Sequence, residues 1–221
     1  MVNKSEIEEK IVEFLLQIKA IKLQPSNPFT WASGWKSPIY CDNRITLSHP
    51  SIRTYIRQKL SNLVQEEFGS VGMVAGVATA GIPQGVLVAQ ELGLPFVYVR
   101  TAAKEHGRGN LIEGDLFEGQ RVVVVEDLIS TGKSSLQAVE ALREAGCDVA
   151  GLVAIFSYSL DIAEENFKAA KCPFITLSNY NSLIKYGVEH SFINDDEHEM
   201  LNKWRNNPSE WGSLIKTAES L

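Results

Sequence analysis

The residues best equipped for chemistry stand in one run, Val122–Ser134, which reads VVVVEDLISTGKS. Four consecutive valines cannot make an amphipathic face and suit a strand buried on both sides. Two adjacent carboxylates follow, Glu126 and Asp127. A loop of small residues comes next, Ser130-Thr131-Gly132, and Lys133-Ser134 open a run of helix formers. The backbone N–H groups of such a loop, with the positive end of the helix dipole, bind a phosphate. Carboxylates beside a phosphate repel it unless the ligand also carries a diol or a divalent cation there, and a phosphorylated ribose meets that condition. The plain alternative is a strand–loop–helix turn with solvated carboxylates. A P-loop is excluded, because Gly132 is the only glycine between Gly119 and Gly146 and no G-x-x-x-x-G-K-[ST] spacing exists.

A second group of candidates is cationic. Arg100, Lys104, His106 and Arg108 fall within the polar, glycine-punctuated stretch RTAAKEHGRGN. It is longer than most connections, and connections of that length are commonly functional. Arg, Lys and His at this density match a leaving pyrophosphate, whereas the plain alternative is a solvated basic loop. The segment Thr101–Asn110 has little to bury, so it is expected to be mobile without ligand. A third candidate is Thr79-Ala80-Gly81-Ile82-Pro83, a tight strand-to-helix turn that could offer N–H groups to a second anion; such turns are also often empty. The fourth is Pro28–Arg44, PFTWASGWKSPIYCDNR. Its exposed Trp and Tyr beside Lys36 and Arg44 suit a flat aromatic ligand, and a small hydrophobic flap is an equal alternative.

These candidates need elements to hold them. Helical spacing of Ile7, Ile11, Phe14, Leu15 and Ile18 predicts a helix over Ser5–Ala20, with Ser5 and Glu8 in a capping-box pattern. Short strands and turns are expected in 28–44, and an amphipathic helix over Pro50–Phe68. Strands are expected at Gly72–Ala78, Pro95–Val99, the signature run, Val149–Phe156 and Pro173–Leu177. Helices are expected at Pro83–Leu92 (closed by Gly93), Lys133–Ala145, Leu160–Ala170, Asn179–Gly187, Asp195–Asn206 and Ser209–Ala218. Leu111–Phe117 reads as an extended hairpin arm. Trp204 and Trp211 are expected to anchor the last helices by packing. This alternation predicts an α/β fold, a mainly parallel central sheet flanked by helices, with the ligand loops at the carboxyl ends of the strands.

A chain of 221 residues with 44% hydrophobic content supports one domain over 1–221 with a full core. The expected division is an N-terminal helix and hood segment over about 1–48, a ligand-binding core over about 70–180, and C-terminal helices over about 181–221. The net charge of −6, without a long basic run, argues against a nucleic-acid surface. The three cysteines, Cys41, Cys147 and Cys172, are scattered and show no zinc or disulfide spacing. With no signal h-region and no 18-residue apolar span, a cytoplasmic protein without membrane contact is the expectation.

The signature resembles the phosphoribosyl pyrophosphate (PRPP) motif of the type I phosphoribosyltransferases. Together with FTWASGWKSP upstream and RTAAKEHG in the middle, the chain resembles the orotate phosphoribosyltransferase family over nearly its whole length. The resemblance implies a type I phosphoribosyltransferase-like core, Rossmann-like, with a small hood lobe from the N-terminal segment. It implies Mg²⁺-dependent transfer of the 5-phosphoribosyl group from PRPP to orotate, with Mg²⁺ carried on PRPP and no dedicated metal ligands. It places Arg100, Lys104 and His106 on the pyrophosphate. Glu126, Asp127, Leu128, Ile129, Ser130, Thr131, Gly132, Lys133 and Ser134 would hold the ribose and its 5′-phosphate, with Ser130 also facing orotate. Lys104, His106, Glu126 and Asp127 are the implied catalytic residues. It further implies a homodimer in which the Thr101–Asn110 loop reaches the partner's site. The chain departs from the family pattern at Ala32, Thr79-Ala80, Thr101 and Phe156–Ser159, where many members carry basic or aromatic side chains. The orotate carboxylate is therefore expected on amides near Ser33–Lys36, or on Lys36. Two readings stay open beside this one: a purine-specific member of the same fold, and a PRPP-sensing regulator without catalysis.

Overall fold

The structure, a computed structural model, describes residues 3–24, 27–31, 33–100 and 111–212. Its centre is a six-stranded sheet. Strands β5 (Met73–Val77), β6 (Phe96–Val99), β8 (Arg121–Ile129), β9 (Asp148–Ser157) and β10 (Phe174–Asn179) run parallel, and β7 (Ile112–Glu113) pairs antiparallel with β6 at one edge. The spatial order is β10-β9-β8-β5-β6-β7. The valine run fills β8, the strand between β5 and β9. Val123 and Val125 pack into one side of the core, Val122 and Val124 into the other, and all four are fully buried. An apolar run without alternation belongs in such a position, where both faces are covered.

Helices α2 (Pro50–Phe68) and α3 (Gly81–Leu92) cover one face, while α4 (Lys133–Glu144) and α5 (Asp161–Ala169) cover the other. The first helix, α1 (Lys4–Gln17), packs on the β10 edge and on α6 (Tyr180–Glu189). Its N-cap is Asn3, whose side chain accepts from Ser5 N–H, so the expected Ser5/Glu8 capping box is corrected by two residues. A capping box does form at the head of α7 (Asp195–Asn206), between Asn194 and Glu197. Helix α3 begins at Gly81, two residues before the expected Pro83. The first four N–H groups of a helix have no intrahelical partner, so a proline in that turn is tolerated. The arm expected at Leu111–Phe117 shortens to the two residues of β7, since only Ile112 and Glu113 find partners on β6. The helix expected at Ser209–Ala218 runs into residues outside the described ones.

The hood consists of two small antiparallel pairs, β1 (Ile21–Leu23) with β4 (Ile39–Cys41) and β2 (Phe29–Thr30) with β3 (Lys36–Ser37), followed by a 3-10 turn over Asn43–Ser48. Trp31 lies on Tyr158, with ring centroids 4.8 Å apart, and meets the edge of Trp204 at 5.7 Å; its indole N–H donates to Ile39 O. Of the two readings of this segment, Trp31 therefore follows the packing one. Trp204 and Trp211 are buried as expected, and so are all three cysteines. Among the described residues no helix is long and apolar enough to cross a membrane.

Candidate active site

After β5 the chain steps to β6 on one side, and after β8 it continues to β9 on the other. The turns leaving β5 and β8 therefore diverge and open a crevice at the carboxyl ends of the strands. That is where open α/β sheets bind their ligands. The acidic pair ends one wall of this crevice. Strand alternation turns Glu126 to the α4 face and Asp127 to the hood face.

Glu126 is 5% exposed. Its Oε1 accepts from Asp127 N–H at 3.0 Å, and its Oε2 accepts from the Ser135 hydroxyl, in the first turn of α4, at 3.3 Å. The start of α3 closes the other side: a Cβ on Gly81 would lie 3.2 Å from Glu126 Oε1. Burial pushes the Glu126 carboxyl well above the usual carboxylate range, and the neighbouring charge of Asp127 adds to the rise. Asp127 is only partly buried. Burial raises it too, while the hydrogen bond with Glu126 and the Arg44 guanidinium oppose that rise. The sequence could not rank the two acids; the structure gives them different stations. Glu126 is the internal member, with each carboxylate oxygen bound to protein, and Asp127 is the member open to a ligand.

The phosphate-type loop has the expected form. Gly132 takes a left-handed conformation (φ +77°) and stands as N-cap of α4, without a side-chain cap on that helix end. A side chain at Gly132 would also strike the Phe167 ring, at 2.6 Å. Asn166 on α5 donates to Thr131 O at 3.0 Å and Tyr158 N–H donates to Ile129 O, so the loop is tied down from behind. Leu128 is partly buried and Ile129 buried at the end of β8; Ser130 and Thr131 are partly buried, and Lys133 and Ser134 exposed at the open helix end. Opposite, the Thr79–Ala80 turn leads into α3, whose N-terminus likewise has no side-chain cap. Two uncapped helix starts thus face one crevice.

Arg100, at the end of β6, donates its N–H to Leu111 O, and its guanidinium lies 3.5 Å from the Glu113 carboxylate. Lys104 and His106, with the rest of Thr101–Asn110, lie outside the described residues, as does Ala32. Lys36 is partly buried in the hood and donates from Nζ to the Thr30 hydroxyl at 2.7 Å. Sequence reasoning set Arg44 beside a flat aromatic ligand rather than the acidic pair, and missed other residues of the site wall. Asn43, fully buried, donates from Nδ2 to Asp127 O at 2.7 Å. Arg44 is held by Asp42 through two bonds of 2.6 and 2.9 Å, and stays half-exposed within electrostatic reach of Asp127. Cys41 N–H donates to the buried Tyr158 hydroxyl. Only the Asp42-Asn43-Arg44 polar run at the end of an apolar strand hinted at them. Among the described residues no cluster of three or more His, Cys, Asp or Glu side chains is arranged for a metal.

Comparison with known proteins matches this geometry. The phosphoribosyl transferase domain family matches residues 45–190. An orotate phosphoribosyltransferase of Phocaeicola vulgatus is 56% identical over 205 residues, covering 93% of this chain and 97% of that protein. That of Listeria innocua is 52% identical over 206 residues, covering 93% and 99%. Among solved structures, the orotate phosphoribosyltransferase of Aeropyrum pernix superposes with a TM-score of 0.71 at 26% identity, over 83% of this chain and 99% of that one. Identity at this level, extended from the hood through the signature to the last helices, means that the chain belongs to the orotate phosphoribosyltransferase family.

Proposed function

We propose that the chain transfers the 5-phosphoribosyl group of PRPP to orotate, releasing pyrophosphate and forming orotidine 5′-monophosphate. The observation that carries this reading is the pairing of Asp127, open to the crevice, with the uncapped start of α4 five residues further on. One holds ribose hydroxyls while the other holds the 5′-phosphate. The C1–O bond to pyrophosphate breaks and a bond from C1 to an orotate ring nitrogen forms. That nitrogen is acidic, so no strong general base is needed. Positive charge grows on the ribose and negative charge on the departing pyrophosphate. Asp127, backed by Glu126, meets the first. Arg100, Lys104 and His106, with the amides of the Thr79–Pro83 turn, meet the second.

Magnesium fits the donor set as a guest of the substrate. Glu126 already has both oxygens occupied, so Asp127 is the carboxylate available to it, and Mg²⁺ commonly combines one or two carboxylates with substrate phosphates and water. When bound it supplies charge neutralisation on the pyrophosphate oxygens. The decisive assay is loss of orotate absorbance on adding PRPP with Mg²⁺, and its absence would refute the reading.

The reading extends to a cytoplasmic homodimer in which Lys104 and His106 serve the partner's site. Supporting it, the ten residues Thr101–Asn110 can span up to ~3.3 Å each when extended. Cell fractionation checks the compartment. Mixing Lys104→Ala and Asp127→Asn chains, each with only a small residual activity, checks the sharing. Half of the dimers become mixed, and each then has one intact site, so about a quarter of wild-type activity should return. No return after confirmed exchange would confine the loop to its own chain.

A further inference from the structure

Strand β8 outruns its neighbour. It pairs with β5 only as far as Gly76↔Val125, whereas its pairing with β9 continues to Ile129↔Ser157. Asp127 therefore stands where one side of the sheet has already ended. Its backbone is held by two side chains instead: its N–H donates to Glu126 Oε1, and its C=O accepts from Asn43 Nδ2 at 2.7 Å. Asn43 comes from the hood and is fully buried. Its own C=O accepts from the Thr46 hydroxyl, which in turn accepts from Gln84 Nε2 at 3.2 Å. Thr46 and Gln84 are buried as well. Gln84 sits in the first turns of α3, the helix whose start presses against Glu126. The contacts form a closed ring: Asp127, Asn43, Thr46, Gln84, the start of α3, Glu126 and back to Asp127.

We infer that Asn43 is a positioning residue for the acidic pair. It supplies the missing neighbour strand at the one carbonyl whose placement aims the Asp127 carboxylate. Thr46 and Gln84 brace it against the helix that bounds Glu126. The hood is thus connected mechanically to the ribose grip, as well as covering it. A buried carbonyl that loses its donor shifts to find another, and a shift at this residue turns the carboxylate with it. The inference rests on the ribose role proposed above for Asp127.

The test is a double-mutant cycle with Asn43→Leu and Asp127→Asn, which keeps the volume of each side chain close to the original. With saturating orotate and PRPP, Asn43→Leu should lower kcat by about tenfold to hundredfold, the range given by one unsatisfied buried acceptor felt in the transition state. In the Asp127→Asn background the same change should cost less than about threefold, because there is no carboxylate left to aim. An equal cost in both backgrounds, or wild-type kcat in Asn43→Leu, overturns the inference; a lower melting temperature alone does not support it. Should Asn43→Leu fail to fold, Thr46→Val removes the brace and leaves Asn43. It should show the same non-additivity at about threefold to tenfold, and additivity there also overturns the inference. The cycle is read in parallel on PRPP binding by calorimetry, which needs no acceptor base. Failure of the wild type to consume orotate would then refute the proposed function, while the PRPP cycle still decides the role of Asn43.

Discussion

Gly81→Ala adds one methyl group where the crevice has no room for it. An ideal Cβ at this position would lie 2.5 Å from Val125 O, 3.2 Å from Glu126 Cα and 3.2 Å from Glu126 Oε1. Ordinary contact begins near 3.4 Å, so the carbonyl and the methyl must part by about 0.9 Å. Two of the three atoms struck belong to the backbone of the central strand, which has no rotamer to change. Overpacking of this kind costs about 1–3 kcal/mol. At mid-range the melting temperature should fall by about 4–8 °C for a domain of this size. The displaced segment carries the acidic pair, and a misplacement on the order of 1 Å lowers rate by about 10². Orotate consumption should therefore fall by about tenfold to hundredfold at a temperature where the variant is fully folded by circular dichroism. Gly93→Ala, at the other end of the same helix, is the control. It is left-handed (φ +66°) with open space around it, so it should lose about 1 kcal/mol of stability and no activity. A Gly81→Ala chain that melts with the wild type refutes the close contact. One that melts lower but keeps full kcat refutes the dependence of the acidic pair on the start of α3.

Glu126→Gln should lower turnover less severely than Asp127→Asn, while making stability less sensitive to alkali. Burial raises the folded pKa of Glu126, so stability is fully present below the unfolded value of 4.5 and is lost as pH rises through the folded pKa, a loss the neutral amide escapes. Urea melts at pH 5 and pH 8 check this, and equal losses in both chains would count against it. Asn166→Leu frees Thr131 O and should raise the KM for PRPP about fivefold to twentyfold with kcat within about twofold, since it loosens the loop proposed to hold the 5′-phosphate in the ground state. Asn194→Ala removes the side-chain half of the α7 capping box, the bond accepted from Glu197 N–H, and should cost about 1 kcal/mol in a denaturant melt; activity at 20 °C should not change.

Much of this architecture can be read from residue order because its signals are local. Four valines in a row require a strand covered on both faces, and α2 follows the expected span Pro50–Phe68 because proline opens it and glycine follows it. The two uncapped helix starts were legible in Ser130–Ser134 and Thr79–Pro83. The site wall was not, because its partners are remote in sequence. Asn43 meets Asp127 across 84 positions, and Cys41 meets Tyr158 across 117. As a string, Asp42-Asn43-Arg44 reads as an ordinary polar turn. Nor could the ranking of Glu126 and Asp127 be read, since a strand buried on both faces carries no alternation to say which acid is deeper. That distinction comes from Ser135 and Gly81, on two different helices.

The edge contact of α1 has a consequence for how the chain is made. Glu8 O accepts from the Ser178 hydroxyl, and the Glu8 carboxylate from the Ser182 hydroxyl, across 170 and 174 positions. At about 5–20 residues per second on the ribosome, the first helix waits roughly 10–30 s for these partners. During that time Ile11, Val12 and Leu15, fully buried at the end, have only nascent chain to cover them. The hood waits about as long, because Trp31 closes against Trp204. Strands β5 to β9 and their helices can assemble first, so the Ser130–Gly132 loop takes shape on the ribosome before the hood closes. A slowed or truncated translation product would hence accumulate with a formed core and a bare N-terminal helix, a sticky species for holdase chaperones to capture.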